Sequence, residues 1–141
     1  MPTYVTNSRS FTVYVKPAGK ARPRITKRGS YTPQKTVNDS TAIRLKYSAL
    51  HGNSEPLKGA VHMTIFAYDA LPQSKPKSVE SEPYTVKPDV DNIAKLVMDA
   101  LNGLAYKDDA QVTVLTVVKK ERSRLINPRI DVTVSDYREA K

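Results

Sequence analysis

Five of the chain's fourteen acidic residues lie between positions 87 and 112, in KPDVDNIAKLVMDALNGLAYKDDAQV. Asp89 and Asp91 stand two apart behind Pro88, which restricts Lys87 to extended backbone. Asp108 and Asp109 stand together just ahead of the strand-like run 111–118. Carboxylates from 89, 91, 108 and 109, gathered at one end of an intervening helix, would form the oxygen-rich site that suits a hard cation such as Mg2+. Each pair also has a plainer reading. Asp91 is a candidate N-cap, and Asp108-Asp109 reads equally as a solvated turn. Spacing alone leaves both open.

The element that must position these groups starts near Ile93. Ile93, Leu96, Val97, Ala100, Leu101 and Leu104 recur at intervals of three and four, one apolar stripe of an α-helix. Asp91, Lys95 and Asp99 follow at i, i+4 and i+8 on the opposite, exposed edge. Asn102-Gly103 supplies a residue that accepts left-handed geometry and ends the helix. The short return to Asp108-Asp109 favours bringing the next strand back alongside it.

Taken whole, KPDVDNIAKLVMDALNG followed by DDAQV resembles the signature of the RusA-type Holliday-junction resolvases, small endonucleases of bacteria and their phages. A weaker match is the GKARPR segment before Gly29-Ser30-Tyr31. The resemblance implies that Asp89, Asp91 and Asp109 bind metal and that Lys95 is the essential lysine. Asp108 and Asp99 match acidic positions of less defined role, Asp108 as a further metal ligand and Asp99 as a holder of Lys95. It also implies a Mg2+- or Mn2+-dependent endodeoxyribonuclease, acting as a homodimer on four-way junctions in recombination and repair. No small-molecule cofactor is expected, and the setting would be the cytoplasm and nucleoid of a bacterial or phage-infected cell.

The rest of the chain is compatible with that chemistry. Its 141 residues, without repeats, suit a single domain over 1–141 with one modest core. No apolar run approaches a membrane span, and residues 1–10 lack a secretory stretch. The absence of cysteine excludes disulfides and thiolate zinc sites. Two histidines, His51 and His62, with no nucleophile motif give no support for a hydrolytic triad.

Charge is unevenly placed. Residues 1–50 hold ten Lys and Arg against the single acid Asp39, whereas residues 51–141 hold thirteen of each sign, so the net +9 is N-terminal. A one-signed field of this kind attracts polyanions. Its densest part is KPAGKARPRITKRGSYTP, where Lys20, Arg22, Arg24, Lys27 and Arg28 surround an expected hairpin turn at 28–30 with Tyr31 beside it. Cationic side chains on such loops reach phosphates, and an exposed aromatic stacks on an unpaired base. A merely solubilising basic loop is the alternative.

Periodicity predicts strands over 11–15, 60–68, 112–118 and 129–134, and a helix over 36–50 with Val37, Ile43, Leu45, Tyr47 and Leu50 on its apolar side. Residues 71–86, with three prolines and no period, read as a long loop, either a lid or disordered. Residues 119–124 read as a polar connection and the tail from Asp136 as fraying. The expected architecture is α/β (α+β): a mixed sheet of four to five strands with two main helices on one face, RusA-like. Two rival functions remain at this stage. One is a non-catalytic basic DNA-binding module with a purely structural acidic cluster; the other is a nuclease acting on other branched DNA, flaps or RNA.

Overall fold

The computed structural model describes residues 3–139, with side chains over 7–138. Four strands form the main sheet: β1 (Thr3–Val13), β4 (Val61–Tyr68), β6 (Val112–Lys119) and β8 (Arg129–Glu139). Their order is β1-β8-β4-β6; β8 is antiparallel to both β1 and β4, while β4 and β6 run parallel. Two helices, α1 (Gln34–His51) and α2 (Val90–Leu101), pack on each other and on the sheet, α1 against β1 and α2 against β6. The architecture is the mixed α+β arrangement that periodicity predicts, with four strands in its main sheet.

Alternation sets the core. Val61, Met63, Ile65 and Ala67 of β4 are buried together with Ile130, Val132 and Val134 of β8, and the intervening residues face the other way. Onto this face α2 lays Ile93, Ala94, Leu96, Val97, Ala100 and Leu101, the stripe legible in the sequence. The other helix departs from expectation. α1 buries Thr36, Asp39, Ile43 and Tyr47, whereas Val37, Leu45 and Leu50 are exposed. Its inward side follows a three-then-four spacing through polar residues, which a search for apolar positions overlooks.

Two minor sheets complete the fold. The basic segment forms a hairpin, β2 (Arg24–Thr26) with β3 (Gly29–Tyr31), whose turn falls at Lys27-Arg28, one residue earlier than expected; Gly29 takes the left-handed φ of +115°. The long loop is also less loose than its composition suggests. Its β5 (Ser81–Glu82) pairs with β7 (Arg122–Ser123), and the Arg124 guanidinium donates to the carbonyls of Lys75, Pro76 and Val79. Arg122 forms an ion pair with Glu82, which Lys75 also meets at 3.2 Å. Residues 71–86 are therefore strapped to the 119–124 connection and are not disordered. The last strand runs on past Asp136 to Glu139, paired with β1 and β4, where fraying was expected; Ala140 and Lys141 lie outside the described residues. Among the described residues, no helix is long and apolar enough to cross a membrane.

For function, the part that matters is the crossover β4–α2–β6. A helix linking two adjacent parallel strands must lie across the sheet, so α2's polar edge is held facing outward. Asp89 then falls at the head of the crossover and Asp109 at its end.

Candidate active site

Asp89 is the residue that starts α2. Its φ and ψ of −74° and 155° are those of an N-cap, and its carbonyl accepts the Ile93 N–H at 3.1 Å. Asp91, the expected cap, lies inside the first helical turn. Neither side chain caps the helix, so both carboxylates are left for other work. Asp89 accepts from the Lys87 ammonium at 3.0 Å, while Asp91 and Lys95 are exposed and, among the described residues, make no ion pair.

A basic loop closes over this edge. Gly19 lies so near α2 that a Cβ there would sit 2.6 Å from the Asn92 Cβ. The next residue, Lys20, donates its backbone N–H to the Asn92 carbonyl at 3.2 Å, and the Ala21 N–H donates to the hydroxyl of buried Thr36 at 3.1 Å. These two anchors place the Lys20 side chain in an ion pair with Asp99. Asp99 thus holds Lys20, and not Lys95 as expected.

At the end of the crossover, Asp108 and Gln111 form a reciprocal capping box around the 3-10 turn Asp109–Gln111. Asp108 accepts the Ala110 N–H at 3.1 Å, and Gln111 accepts from Asp108 N–H and donates to the carbonyls of Leu57 and Gly59. Asp108 is therefore a cap that fixes the turn, and its neighbour Asp109 is the one presented. Burial first, then a hydrogen bond with Asp108 and the charges of Asp108 and Asp99, push the Asp109 carboxyl above the ordinary carboxylate value; Lys20 opposes the shift.

The result is one cleft of about 850 Å3, lined among others by Lys20, Arg22, Lys87, Asp89, Asp91, Lys95, Asp99 and Asp109. Eight positions separate Asp91 from Asp99, roughly 12 Å along a helix at 1.5 Å per residue, so the cleft is a channel with carboxylates at both ends. Asp108 is not among its lining residues. Arg24, Lys27, Arg28 and Tyr31 sit on the hairpin that leads out of it, and every residue from 22 to 32 is exposed.

Donor type fits a hard divalent cation: four carboxylates face one channel. Grouping is looser than the resemblance implies. Among the described residues no three acidic or histidine side chains are gathered about one point, and lysines engage two of the four carboxylates.

Lys119 is a residue that sequence reasoning missed. At the end of β6 its ammonium donates to the Val86 carbonyl at 2.6 Å and lies 4.3 Å from the centre of the Tyr84 ring. Burial lowers its pKa, an effect the Asp89 charge opposes. It ties down the segment that delivers Lys87 and Asp89. Lying at the end of a strand, it gave no signal in sequence beyond its charge.

A family model described as endodeoxyribonuclease RusA matches residues 15–135, from the basic loop to the last strand. The chain belongs to the RusA endodeoxyribonuclease family. RusA-type proteins are Holliday-junction resolvases, nucleases of branched DNA. An uncharacterised protein of Bacillus subtilis (strain 168), YqaN, is similar to this chain at 36% identity over 138 residues, 89% of this chain and 94% of the relative. The RusA match spans both the acidic channel and its basic approach, so the two halves of the site belong to one family unit.

Proposed function

We propose that the chain is a divalent-metal-dependent, structure-selective endodeoxyribonuclease that resolves four-way junctions by paired phosphodiester cuts in recombination and repair. The observation that carries this reading is the shared channel: Asp89, Asp91, Asp99 and Asp109 line the same space as Lys20, Arg22 and Lys95. A structural acidic cluster has no need of an aligned basic wall. A phosphodiester backbone needs one, because cations draw it against carboxylates that would otherwise repel it.

In this reading Asp89, Asp91 and Asp109 hold Mg2+ or Mn2+. When bound, the cation polarises the phosphate and supplies a nucleophile at neutral pH. The chain's own residues do the rest. Lys95, on the exposed edge one turn beyond Asp91 and without an ion pair among the described residues, meets the charge that builds on the phosphate oxygens. Lys20 is held by Asp99 at the phosphate entrance. The hairpin carrying Arg24, Lys27, Arg28 and Tyr31 grips the flanking backbone, and Tyr31, half exposed, offers a ring to an unpaired base. A four-way junction is near two-fold symmetric and requires two opposed cuts, which a C2 homodimer supplies.

The test compares a labelled mobile four-way junction with linear duplex, each with Mg2+, Mn2+ or chelator. The reading expects symmetric nicks in the junction only with metal. Equal cutting of both substrates would leave a nuclease without junction selectivity; binding without cutting would leave a binding module.

A further inference from the structure

We infer that Ile25 is a wedge, an apolar side chain carried on the basic hairpin to enter the stack of base pairs where DNA branches. The inference rests on the reading above that branched DNA is the substrate. It adds the residue that tells a branch from plain duplex.

Ile25 is the middle residue of β2; it is 87% exposed and has no share in the core. Its surroundings do not cover it, because all three residues of β2 and all three of β3 are exposed. The two strands pair only with each other. A free two-stranded ribbon is marginal in water, and this one is braced at its turn and at its base. The Thr26 hydroxyl donates to the Gly29 carbonyl at 3.1 Å and accepts the Arg28 N–H at 3.2 Å. Where the segment leaves the channel, the Thr36 hydroxyl holds the Ala21 N–H.

The fold has no need of this residue. A strand favours a β-branched side chain, but threonine, which fills position 26, meets that preference without exposing so much apolar surface. Charge indicates what covers it. Arg24, Lys27 and Arg28 flank Ile25, and Asp39 is the sole acid of residues 1–50, so the partner is a polyanion. Register sorts the ribbon into two faces: Arg24 opposes Tyr31, and Ile25 opposes Ser30. Directly opposed residues share a face and successive ones alternate. Ile25 and Tyr31 are therefore presented on opposite sides of one ribbon.

In a nucleic acid, the surface that admits an aliphatic side chain is the face of a base pair, reached by unstacking a step. Linear duplex resists this along its whole length. At a branch the arms meet and stacking is already interrupted, so the innermost pairs accept a side chain at low cost. Ile25 meets one of them while Arg24, Lys27 and Arg28 hold the converging phosphates. Because the ribbon leads out of the channel that Arg22, Asp89 and Asp91 line, the branch is seated beside the strand to be cut.

Valine and threonine have nearly the same shape and differ in polarity, which supplies the test. Wild type, Ile25→Val, Ile25→Thr and, as an exposed control, Leu125→Ser are bound with chelator to a four-way junction and to linear duplex of the same sequence. Each DNA carries 2-aminopurine, which brightens on unstacking, either in the pair next to the branch or in mid-arm. Wild type, Ile25→Val and Leu125→Ser are expected to prefer the junction and to brighten the branch probe alone. Ile25→Thr should lose junction affinity by about fivefold or more, the effect of forcing a hydroxyl into an apolar place. Its Tm and duplex affinity should hold, and its branch signal should fall. A threonine variant that binds and unstacks as wild type does, an equal loss on both DNAs, or no branch signal from wild type would overturn the inference. Cleavage in Mg2+ is scored separately. A wild type that unstacks the branch through Ile25 yet never nicks it refutes the nuclease reading alone; junction-selective nicking untouched by Ile25→Thr refutes the wedge alone.

Discussion

Gly19 and Asn92 touch so closely that no side chain larger than hydrogen fits between them: a Cβ on Gly19 would lie 2.6 Å from the Asn92 Cβ. That contact is where the basic loop docks on the helix carrying Asp91, Lys95 and Asp99. Gly19→Ala should lift the loop and move Lys20 away from Asp99. The expected outcome is a fall in cleavage of about 10- to 100-fold, the usual cost of an ångström-scale misplacement. The segment is largely solvent-facing, so the Tm should change by only a few degrees. Unchanged cleavage would show that the docked loop is not needed.

Lys119 tethers the Val86 carbonyl ahead of Asp89. Lys119→Met keeps the aliphatic stem against Tyr84 but removes the bond and the charge. Single-turnover cleavage is expected to fall about tenfold with substrate affinity nearly constant, the pattern of a group that acts on geometry and not on binding. Lys119→Arg should restore part of the rate. A loss confined to affinity would instead make Lys119 a phosphate contact.

The strap between residues 71–86 and 119–124 predicts a pH signature. Hydrogen bonds from Arg122 and then Lys75 hold the Glu82 carboxyl below its ordinary value of 4.5. A depressed folded pKa contributes stability that is present above the unfolded value and lost as pH falls through the folded one. Glu82→Gln should therefore lower the Tm at neutral pH, and the gap from wild type should shrink as pH is taken below 4.5. A gap independent of pH would contradict this account of the strap.

The exposed hairpin predicts salt dependence. Replacing Arg24, Lys27 and Arg28 together by Ala should weaken binding to junction and duplex alike. It should also flatten the plot of log affinity against log salt by about 0.9 per lost phosphate contact, roughly 2.7 in all. An unchanged slope would mean that the arm merely keeps the protein in solution.

Much of this was legible in the chain before its structure. The α2 stripe and the two-sided patterning of β4 follow from period alone, because each of these elements buries one face against a single core. The side chains that the resemblance implied as ligands, Asp89, Asp91 and Asp109, line one channel with Lys95. What could not be read depends on contacts between distant segments. Asp99 meets Lys20, 79 positions away, and not its helical neighbour Lys95. Asp108 is withdrawn into a cap because Gln111 reaches the carbonyls of Leu57 and Gly59. The inward side of α1 is half polar, and the strap on residues 71–86 needs Arg122 and Arg124 from beyond β6. In each case the partner is set by topology, which local pattern does not encode.

The most direct measurement is cleavage of a labelled four-way junction by wild type and by Asp91→Asn, in Mg2+, with junction binding followed in parallel. Asp91 is exposed, caps nothing and makes no ion pair among the described residues, so its replacement is expected to leave the fold intact. The account predicts that paired nicking is abolished while binding persists or tightens, since one negative charge facing the phosphates is gone. Nicking at the wild-type rate by Asp91→Asn would contradict it.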